Sequence, residues 1–242
     1  MKYGIIAAGE GSRLAAEGVT EPKPLVTING EHLIDRLIRV FMENDAESIT
    51  VICNENMTQV GRHLKEIISH GLNGQHIPLE LVVKTTPSSM HSFYEISKHL
   101  QGGTFCLTTV DTIFREKDFS AYIKSLQQLT GNDNADGVMA VTSYIDDEKP
   151  LYVATDSELN ITAFNDTKDH CRYVSGGIYG LTSKSIDVLN DCIAQGNSRM
   201  RNFQRALVSN SLRLKAMPFD KILDIDHASD IIKAETFLRE NS

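Results

Sequence analysis

Over the first 145 residues, short apolar runs alternate with longer amphipathic stretches. Runs such as YGIIAA, SITVIC and TFCLTTV have the length and composition of buried strands. Between them, HLIDRLIRVFMEND and MTQVGRHLKEIISH repeat apolar residues three and four positions apart, which places those residues on one face of a helix. Strands that alternate with helices predict a mainly parallel sheet that is covered by helices on both faces.

The pattern changes after about Pro150. LYVATD, NITAFN and RYVSGGIYGLT are typical of short strands joined by turns, and they predict a small antiparallel lobe. Helical patterns follow near residues 183–194 and 198–209, and a last helix is predicted over SDIIKAETFLREN. The sequence has no linker or internal repeat, so we expect one α/β domain over residues 1–242 with three αβα layers.

Charge and composition exclude several classes of partner. The 242 residues carry a formal net charge of -8, which disfavours unspecific binding to nucleic acid or to an anionic membrane surface. A few cations in a cleft can still bind a small anion. The four cysteines are scattered, and no segment has the length of a membrane span or a signal sequence. These features predict a cytoplasmic protein. They are compatible with a monomer or a homo-oligomer.

The loop after the first predicted strand carries the strongest functional signal. Gly9 and Gly11 allow the backbone to approach an anion with its N–H groups. Arg13 can grip a phosphate with two hydrogen bonds, and Lys23 stands between two prolines. A dinucleotide-binding fingerprint fits poorly, because Leu14 stands where its third glycine belongs, and the chain has no P-loop. A phosphate site at the carboxyl edge of the sheet is therefore expected.

The two motifs GEGSRL (residues 9–14) and PKPL (residues 22–25) together resemble the sugar nucleotidyltransferase family, the nucleotide-sugar pyrophosphorylases. The resemblance implies a Rossmann-like fold, with residues 1–145 as the nucleotide-binding half and residues 146–242 as the half that binds the acceptor and completes the metal site. It implies a Mg²⁺-dependent enzyme that joins a nucleoside triphosphate to a sugar 1-phosphate and releases pyrophosphate. Arg13 and Lys23 would be catalytic. The implied nucleotide-binding residues are Ala7, Ala8, Gly9, Gly11, Ser12, Arg13, Lys23, Ser88 and Ser89.

The chemistry of this reaction accounts for the residue types. A phosphate monoester has a second pKa of about 6, so its oxygen is already ionised and needs no general base. The site must instead align two anions and neutralise the departing pyrophosphate. The resemblance implies metal-binding carboxylates at Asp111, after TFCLTTV, and at Asp224 in KILDID. Asp226 stands two positions further on, and in a strand its carboxylate would face the same way.

The acceptor side is implied by two weaker matches. YVSGGIYGLT resembles the family strand in which a glycine lets the acceptor lie against the backbone, which points to Gly176 and Gly177. ITAFNDTK resembles a family segment that ends in E-K-P, which points to Lys168 as a contact of the acceptor phosphate.

Three alternatives remain at this point. The pair of aspartates in DID (residues 224–226) and the serines before SFYEI also fit a cytidylyltransferase for phosphocholine or another phospho-alcohol. A subunit that only senses nucleotides or sugar phosphates would have no need of a metal site. A dehydrogenase is the weakest alternative, because the glycine loop does not fit one.

Overall fold

The computed structural model describes residues 1–146 and 148–240. The strands are β1 Lys2–Ala7, β2 Thr27–Ile28, β3 Glu31–His32, β4 Ser48–Cys53, β5 Leu79–Val83, β6 Thr104–Thr109, β7 Thr112–Ile113, β8 Gly137–Thr142, β9 Tyr152–Thr155, β10 Ile161–Asn165, β11 Tyr173–Thr182, β12 Leu214–Phe219 and β13 Leu223–Asp224. The helices are α1 Ser12–Ala16, α2 Leu33–Met42, α3 Thr58–His70, α4 Ser89–Ser97, α5 Glu116–Gly131, α6 Lys184–Ala194, α7 Met200–Ser209 and α8 Ala228–Arg239. A short 3₁₀ turn covers Lys23–Leu25.

The predicted parallel sheet forms the centre of the molecule. Strands β6, β1, β4 and β5 lie side by side and are all parallel. Alternate residues of β1 enter different cores, because successive side chains of a strand point to opposite faces. Tyr3, Ile5 and Ala7 join the core beneath α2, α3, α5 and α8, whereas Ile6 joins the core beneath α4, α6 and α7. The three-layer α/β architecture predicted from the sequence is confirmed.

The antiparallel strands predicted after Pro150 are also confirmed. One pairing differs from what the alternation of strands and helices in the sequence suggests. Strand β8 continues the β/α rhythm of the chain, yet it does not pair with β6. The long strand β11 lies between them and is antiparallel to both. Strands β9 and β10 extend this side of the sheet, and β12 pairs with β8 in parallel. Within the described ranges, no helix is both long and apolar enough to cross a membrane.

Two neighbouring strand ends position the functional loops. Strands β1 and β6 are parallel, and Ile6 stands in register with Thr109. The backbone N–H of Val110 donates to the carbonyl of Ile6 at 3.0 Å and continues this pairing beyond β6. The glycine loop after β1 and Asp111 after β6 therefore lie at the same edge of the sheet, where ligands of parallel α/β sheets bind.

Candidate active site

The glycine loop connects β1 to the short helix α1. Gly11 has φ +62°, in the left-handed region that favours glycine. A Cβ at Gly11 would stand 3.1 Å from Cβ of Lys23, so the loop can pass close to the 3₁₀ turn only without a side chain there. Ser12 and Arg13 are exposed in the first turn of α1, whereas Ala7 is fully buried in β1.

Lys23 lies at the centre of the site. Its side chain is only 9% exposed, and Nζ donates to Oδ2 of Asp111 at 2.5 Å and to Oδ1 of Asp226 at 2.8 Å. Burial alone would lower the pKa of Lys23. The charge of Asp111 and the hydrogen bonds to both carboxylates outweigh burial, however, and hold that pKa above its usual value. The ammonium is therefore charged throughout the physiological range.

The same carboxylate of Asp226 also binds the glycine-loop helix. Nη1 of Arg13 donates to Oδ2 of Asp226 at 3.1 Å, and the two side chains are about half exposed. The structure thus brings Arg13, Lys23, Asp111 and Asp226 into one cluster, although they come from four separate parts of the sequence. We call these four residues the charge cluster.

Backbone hydrogen bonds hold the far end of the chain against Asp111. Strand β13 pairs antiparallel with β7, with Asp224 opposite Thr112. The N–H of Ile225 then donates to the carbonyl of Asp111 at 3.1 Å. The N–H of Asp226 donates to Asp230 at 3.2 Å, at the start of α8. This loop therefore brings Asp226 to Lys23 by main-chain contacts and does not depend on the ion pair alone.

The fit of a divalent cation rests on one buried oxygen. Oδ1 of Asp111 is buried and has no hydrogen-bond partner among the residues that the structure describes. An ionised oxygen in that position is costly unless a cation or another donor reaches it. Carboxylate oxygens are the ligands that Mg²⁺ prefers, and Mg²⁺ often takes only one or two of them beside phosphate oxygens and water. The donor set around Asp111 fits such an ion.

The three aspartates expected at the metal do not form one preformed group. Across residues 1–146 and 148–240, no three Asp, Glu, His or Cys side chains are close enough together to hold a metal ion. Asp226 contacts Lys23, whereas Asp224 lines two cavities, one beside Tyr144 and one beside Tyr179. Strand β13 ends at Asp224, so strand alternation does not govern the direction of Asp226.

A cavity of about 490 Å³ is lined by Lys23 and Asp111. Gly9, Gly11, Ser88 and Ser89 are part of its wall, as is Ala8. Ser88 caps α4, because its Oγ accepts from the N–H of His91 and lies 2.9 Å from Nδ1 of the same residue. The helix N-terminus at Ser89 thus faces the cavity opposite the glycine loop.

A second cavity of about 330 Å³ shares Ser88, Ser89 and Thr109 with the first. We call it the acceptor-side cavity, after the substrate that the sequence resemblance leads us to expect there. Three of its wall residues are cationic, namely Lys149, Arg199 and Arg201, and Asp224 is the acidic one. Burial raises the pKa of Tyr179 in this wall, and the charges of Asp224 and Asp111 raise it further. The two cavities are therefore neighbours, and Lys23 and Asp111 of the charge cluster line the first of them.

Lys168 does not lie with the other predicted site residues. It is exposed in the turn after β10 and lines neither of these cavities. Lys149 lines the acceptor-side cavity, where Lys168 was expected. The carbonyl of Lys149 accepts a hydrogen bond from Nη2 of Arg201 at 3.0 Å. The tripeptide Glu148-Lys149-Pro150 was the sequence signal for this residue. Arg199 carries no comparable motif.

The two glycines of β11 have separate packing reasons. A Cβ at Gly176 would stand 2.3 Å from Cδ1 of Ile222, just before β13. Gly177 has φ +72°, and a Cβ there would stand 3.1 Å from Oγ1 of Thr112. Gly177 lines the acceptor-side cavity, whereas Gly176 lines the cavity beside Tyr144. Both glycines allow β11 to approach the β7–β13 pair that carries Asp224.

The fold is a mainly parallel α/β sheet, and its edge carries a glycine loop, two cations and, at the adjoining strand end, carboxylates. This combination is typical of enzymes that bind nucleoside phosphates. The family model described as nucleotidyl transferase matches residues 3–241, so the chain belongs to that family. It is a nucleotidyltransferase.

Individual relatives are distant. The curated bifunctional IPC transferase and DIPP synthase of Thermococcus kodakarensis is 29% identical over 117 residues, which is 48% of this chain and 24% of that protein. The chain therefore matches about a quarter of the length of this relative.

Solved structures of similar fold cover nearly the whole chain. A protein described as a glucose-1-phosphate thymidylyltransferase from Bacillus anthracis has a TM-score of 0.80 at 18% identity, over 100% of this chain and 96% of its own. The inositol-1-phosphate CTP transferase of T. maritima has a TM-score of 0.77 at 18% identity, over 99% and 96% of the two chains. A UDP-glucose pyrophosphorylase complexed with UDP-glucose has a TM-score of 0.78 at 17% identity, over 98% and 97%.

Proposed function

We propose that this nucleotidyltransferase joins a nucleoside triphosphate to the phosphate monoester of a sugar or cyclic polyol and releases pyrophosphate. One observation carries the proposal. Lys23 and Asp111 of the charge cluster line one cavity together with the glycine loop, and the neighbouring cavity, which shares Ser88, Ser89 and Thr109 with it, is lined by Lys149 and Arg199. The relatives named above act, by their descriptions, on glucose 1-phosphate and inositol 1-phosphate, which are esters of this kind.

On the nucleotide side, Gly9, Gly11 and Ser12 would bind the triphosphate through their N–H groups. Arg13 would bind the departing pyrophosphate, because a guanidinium offers paired donors to phosphate oxygens. Lys23 lines the first of these cavities and would bind the α-phosphate, with the acceptor phosphate arriving from the neighbouring cavity. These groups align two anions and neutralise charge, and none of them needs to remove a proton from the acceptor.

Mg²⁺ would be held by Asp111 and Asp226. Asp224, two positions before Asp226 and opposite Thr112, is the third carboxylate of this region. A bound Mg²⁺ supplies positive charge to the phosphate oxygens and orients them. Asp111 is suited to this role because its Oδ1 is buried and lacks a hydrogen-bond donor in the described part of the chain.

The charge of the acceptor-side cavity bears on the substrate. Three cations face one carboxylate in its wall, which favours an acceptor that brings a phosphate and neutral hydroxyl groups. The quaternary ammonium of phosphocholine is better matched by aromatic and acidic walls. We therefore rank phosphocholine below sugar and polyol phosphates.

The test is pyrophosphate release with each of four nucleoside triphosphates against glucose 1-phosphate, inositol 1-phosphate and phosphocholine. We expect release with at least one of the first two acceptors, and loss of release in Asp111→Asn. If nucleotides raise the melting temperature but no pair releases pyrophosphate, the chain senses its ligands and the proposal is wrong.

Arg199→Gln tests the acceptor side. Loss of a charged hydrogen bond to phosphate costs about 1.5–3 kcal/mol, which lowers kcat/KM for the acceptor by about 10- to 150-fold. KM for the nucleotide should stay the same. Arg62→Gln, an exposed arginine on α3, is the matched control and should change neither.

A further inference from the structure

The free protein already holds a cation between the two carboxylates assigned to the metal. The ammonium of Lys23 lies 2.5 Å from Asp111 and 2.8 Å from Asp226, and these carboxylates come from distant parts of the chain. Asp226 also binds Arg13. The four charges sum to zero, so the charge cluster is neutral without a substrate or a metal ion.

The partners of these ion pairs overlap with those that substrate and metal would use. Two of the three N–H donors of Lys23 already point at carboxylate oxygens, so only one is left for the α-phosphate. A divalent cation on the unpartnered Oδ1 of Asp111 would also need an oxygen of Asp226, and Lys23 and Arg13 occupy both of these. Two cations so close together would also repel each other in a site where Lys23 is only 9% exposed.

We infer that Lys23 is the substitute counter-ion of the metal site, and that Mg²⁺ and the Lys23 ammonium compete for Asp111 and Asp226. This inference rests on the metal role given to these carboxylates under the proposed function. Binding of the divalent ion displaces the ammonium from the carboxylates and makes it available to phosphate. The triphosphate in turn gives the displaced ammonium a new partner.

Competition of this kind has a thermodynamic consequence. The metal would bind weakly without nucleotide, because it must displace a cation from Asp226 and would lie beside the ammonium of Lys23. The nucleotide strengthens metal binding in two ways, by contributing phosphate oxygens and by accepting Lys23. Because binding linkage is reciprocal, the metal strengthens nucleotide binding by the same factor. Removing the ammonium should abolish the second contribution and leave the first.

The experiment measures Mn²⁺ binding without nucleotide, from the electron paramagnetic resonance signal of free Mn²⁺. Wild type is compared with Lys23→Met, which removes the ammonium, and with Lys98→Met. Lys98 is 58% exposed at the end of α4 and pairs with Glu95, so its loss changes the net charge equally without touching the site. We expect Lys23→Met to bind Mn²⁺ at least tenfold more tightly than wild type, within the 5- to 150-fold range of typical coupling. Lys98→Met should match wild type.

Nucleotide adds a second readout. The factor by which a non-hydrolysable triphosphate analogue tightens Mn²⁺ binding should be smaller in Lys23→Met than in wild type. Equal Mn²⁺ affinity of Lys23→Met and wild type, or a weaker one in Lys23→Met, overturns the inference. If Asp111→Asn and Asp226→Asn bind Mn²⁺ as wild type does, the metal role in the proposed function is wrong, which is a separate outcome.

Folding of the variant is checked by thermal melting in EDTA and in Mg²⁺. Lys23→Met leaves two partly buried carboxylates side by side, so Mg²⁺ should raise its melting temperature more than it raises that of wild type. If Lys23→Met does not fold, Lys23→Gln keeps a polar side chain without the charge. The same Mn²⁺ criterion then decides the inference.

Discussion

Gly176→Ala tests how β11 supports the acceptor side of the site. The added Cβ would stand 2.3 Å from Cδ1 of Ile222 and 3.2 Å from the carbonyl oxygen of Ala140. Ile222 is 6% exposed and directly precedes Leu223–Asp224. A methyl group at position 176 therefore displaces the residue that leads into the strand of Asp224.

The size of the effect follows from two opposing contributions. Overpacking a buried site costs about 1–3 kcal/mol. The backbone of Gly176 is outside the left-handed region, so alanine also restricts the unfolded chain and recovers about 0.4–1 kcal/mol. The expected net loss is about 0.5–2 kcal/mol. For a chain of this length each kcal/mol lowers Tm by about 2–4 °C.

A double-mutant cycle with Ile222→Val isolates the contact, because valine lacks Cδ1. Ile222→Val alone should cost about 0.5–1.5 kcal/mol. In the Ile222→Val background, Gly176→Ala should cost close to nothing, because the closest clashing atom is absent. Urea unfolding measures all four variants, and kcat/KM for the acceptor should fall in Gly176→Ala and recover in the double mutant.

The control is Gly61→Ala in α3, where a Cβ meets nothing within 4 Å. It should stabilise the protein by about 0.5–1 kcal/mol, as expected for alanine in a helix. If Gly176→Ala costs the same with isoleucine or valine at position 222, the explanation through Ile222 is refuted. If it leaves stability and acceptor kinetics unchanged, the close approach of β11 is not required.

Three further changes test other parts of the molecule. Asp136→Asn removes a buried carboxylate that binds Arg213 and Lys184. Both cations are about half exposed and stay solvated, so the loss of unfolding free energy at pH 7 should be about 1.5–3 kcal/mol, measured with urea. Arg213 and Lys184 hold the pKa of Asp136 well below its usual value. The contribution of Asp136 to the free energy of unfolding is therefore present above about pH 4 and is lost as the pH falls toward the pKa of the folded state. The hydrogen bond to Asp35 raises the pKa of His63 above 6.5. The contribution of His63 to the free energy of unfolding is therefore fully present below about pH 6.5 and is lost as the pH rises through the raised pKa. His63→Gln should remove this pH dependence of the free energy of unfolding. Glu17→Gln weakens the contact of Glu17 with the start of α8, and should raise KM for the nucleotide in the pyrophosphate assay.

Local signals were sufficient for most of the fold and for three of the four residues of the charge cluster. The run of apolar residues in β1 indicates a strand that is buried on both faces, and Tyr3 and Ile6 do enter different cores. Arg13 and Lys23 are close in sequence to glycines and prolines that constrain the backbone, so their convergence follows from short-range geometry. Asp111 follows a buried strand, and its place at the sheet edge follows from the parallel pairing.

The remainder depends on contacts that are distant in sequence. Periodicity cannot show that β11 lies between β6 and β8, because these pairings join residues about 30–80 positions apart in the sequence. Strand alternation does not determine where Asp226 points, because β13 ends two residues earlier and Asp226 contacts the start of α8; its place beside Lys23 is visible only in the fold. Lys149 stands in a Glu-Lys-Pro tripeptide and Lys168 does not, but only the fold shows that Lys149 lines a cavity.

The charge cluster explains how an acidic chain can bind two anions. The formal net charge is -8, so a triphosphate meets an unfavourable field at long range. At short range the cluster is neutral, because two cations and two carboxylates pair within 3.1 Å of one another. A triphosphate alone would have to pull Arg13 and Lys23 away from Asp111 and Asp226 and leave those carboxylates uncompensated, which is costly where they are partly buried. A divalent cation that arrives with the triphosphate compensates the carboxylates at the same time as the phosphates accept the two side chains. If the carboxylates hold the metal as proposed, tight binding of either partner would require the other, and this requirement follows from the charge count of four residues.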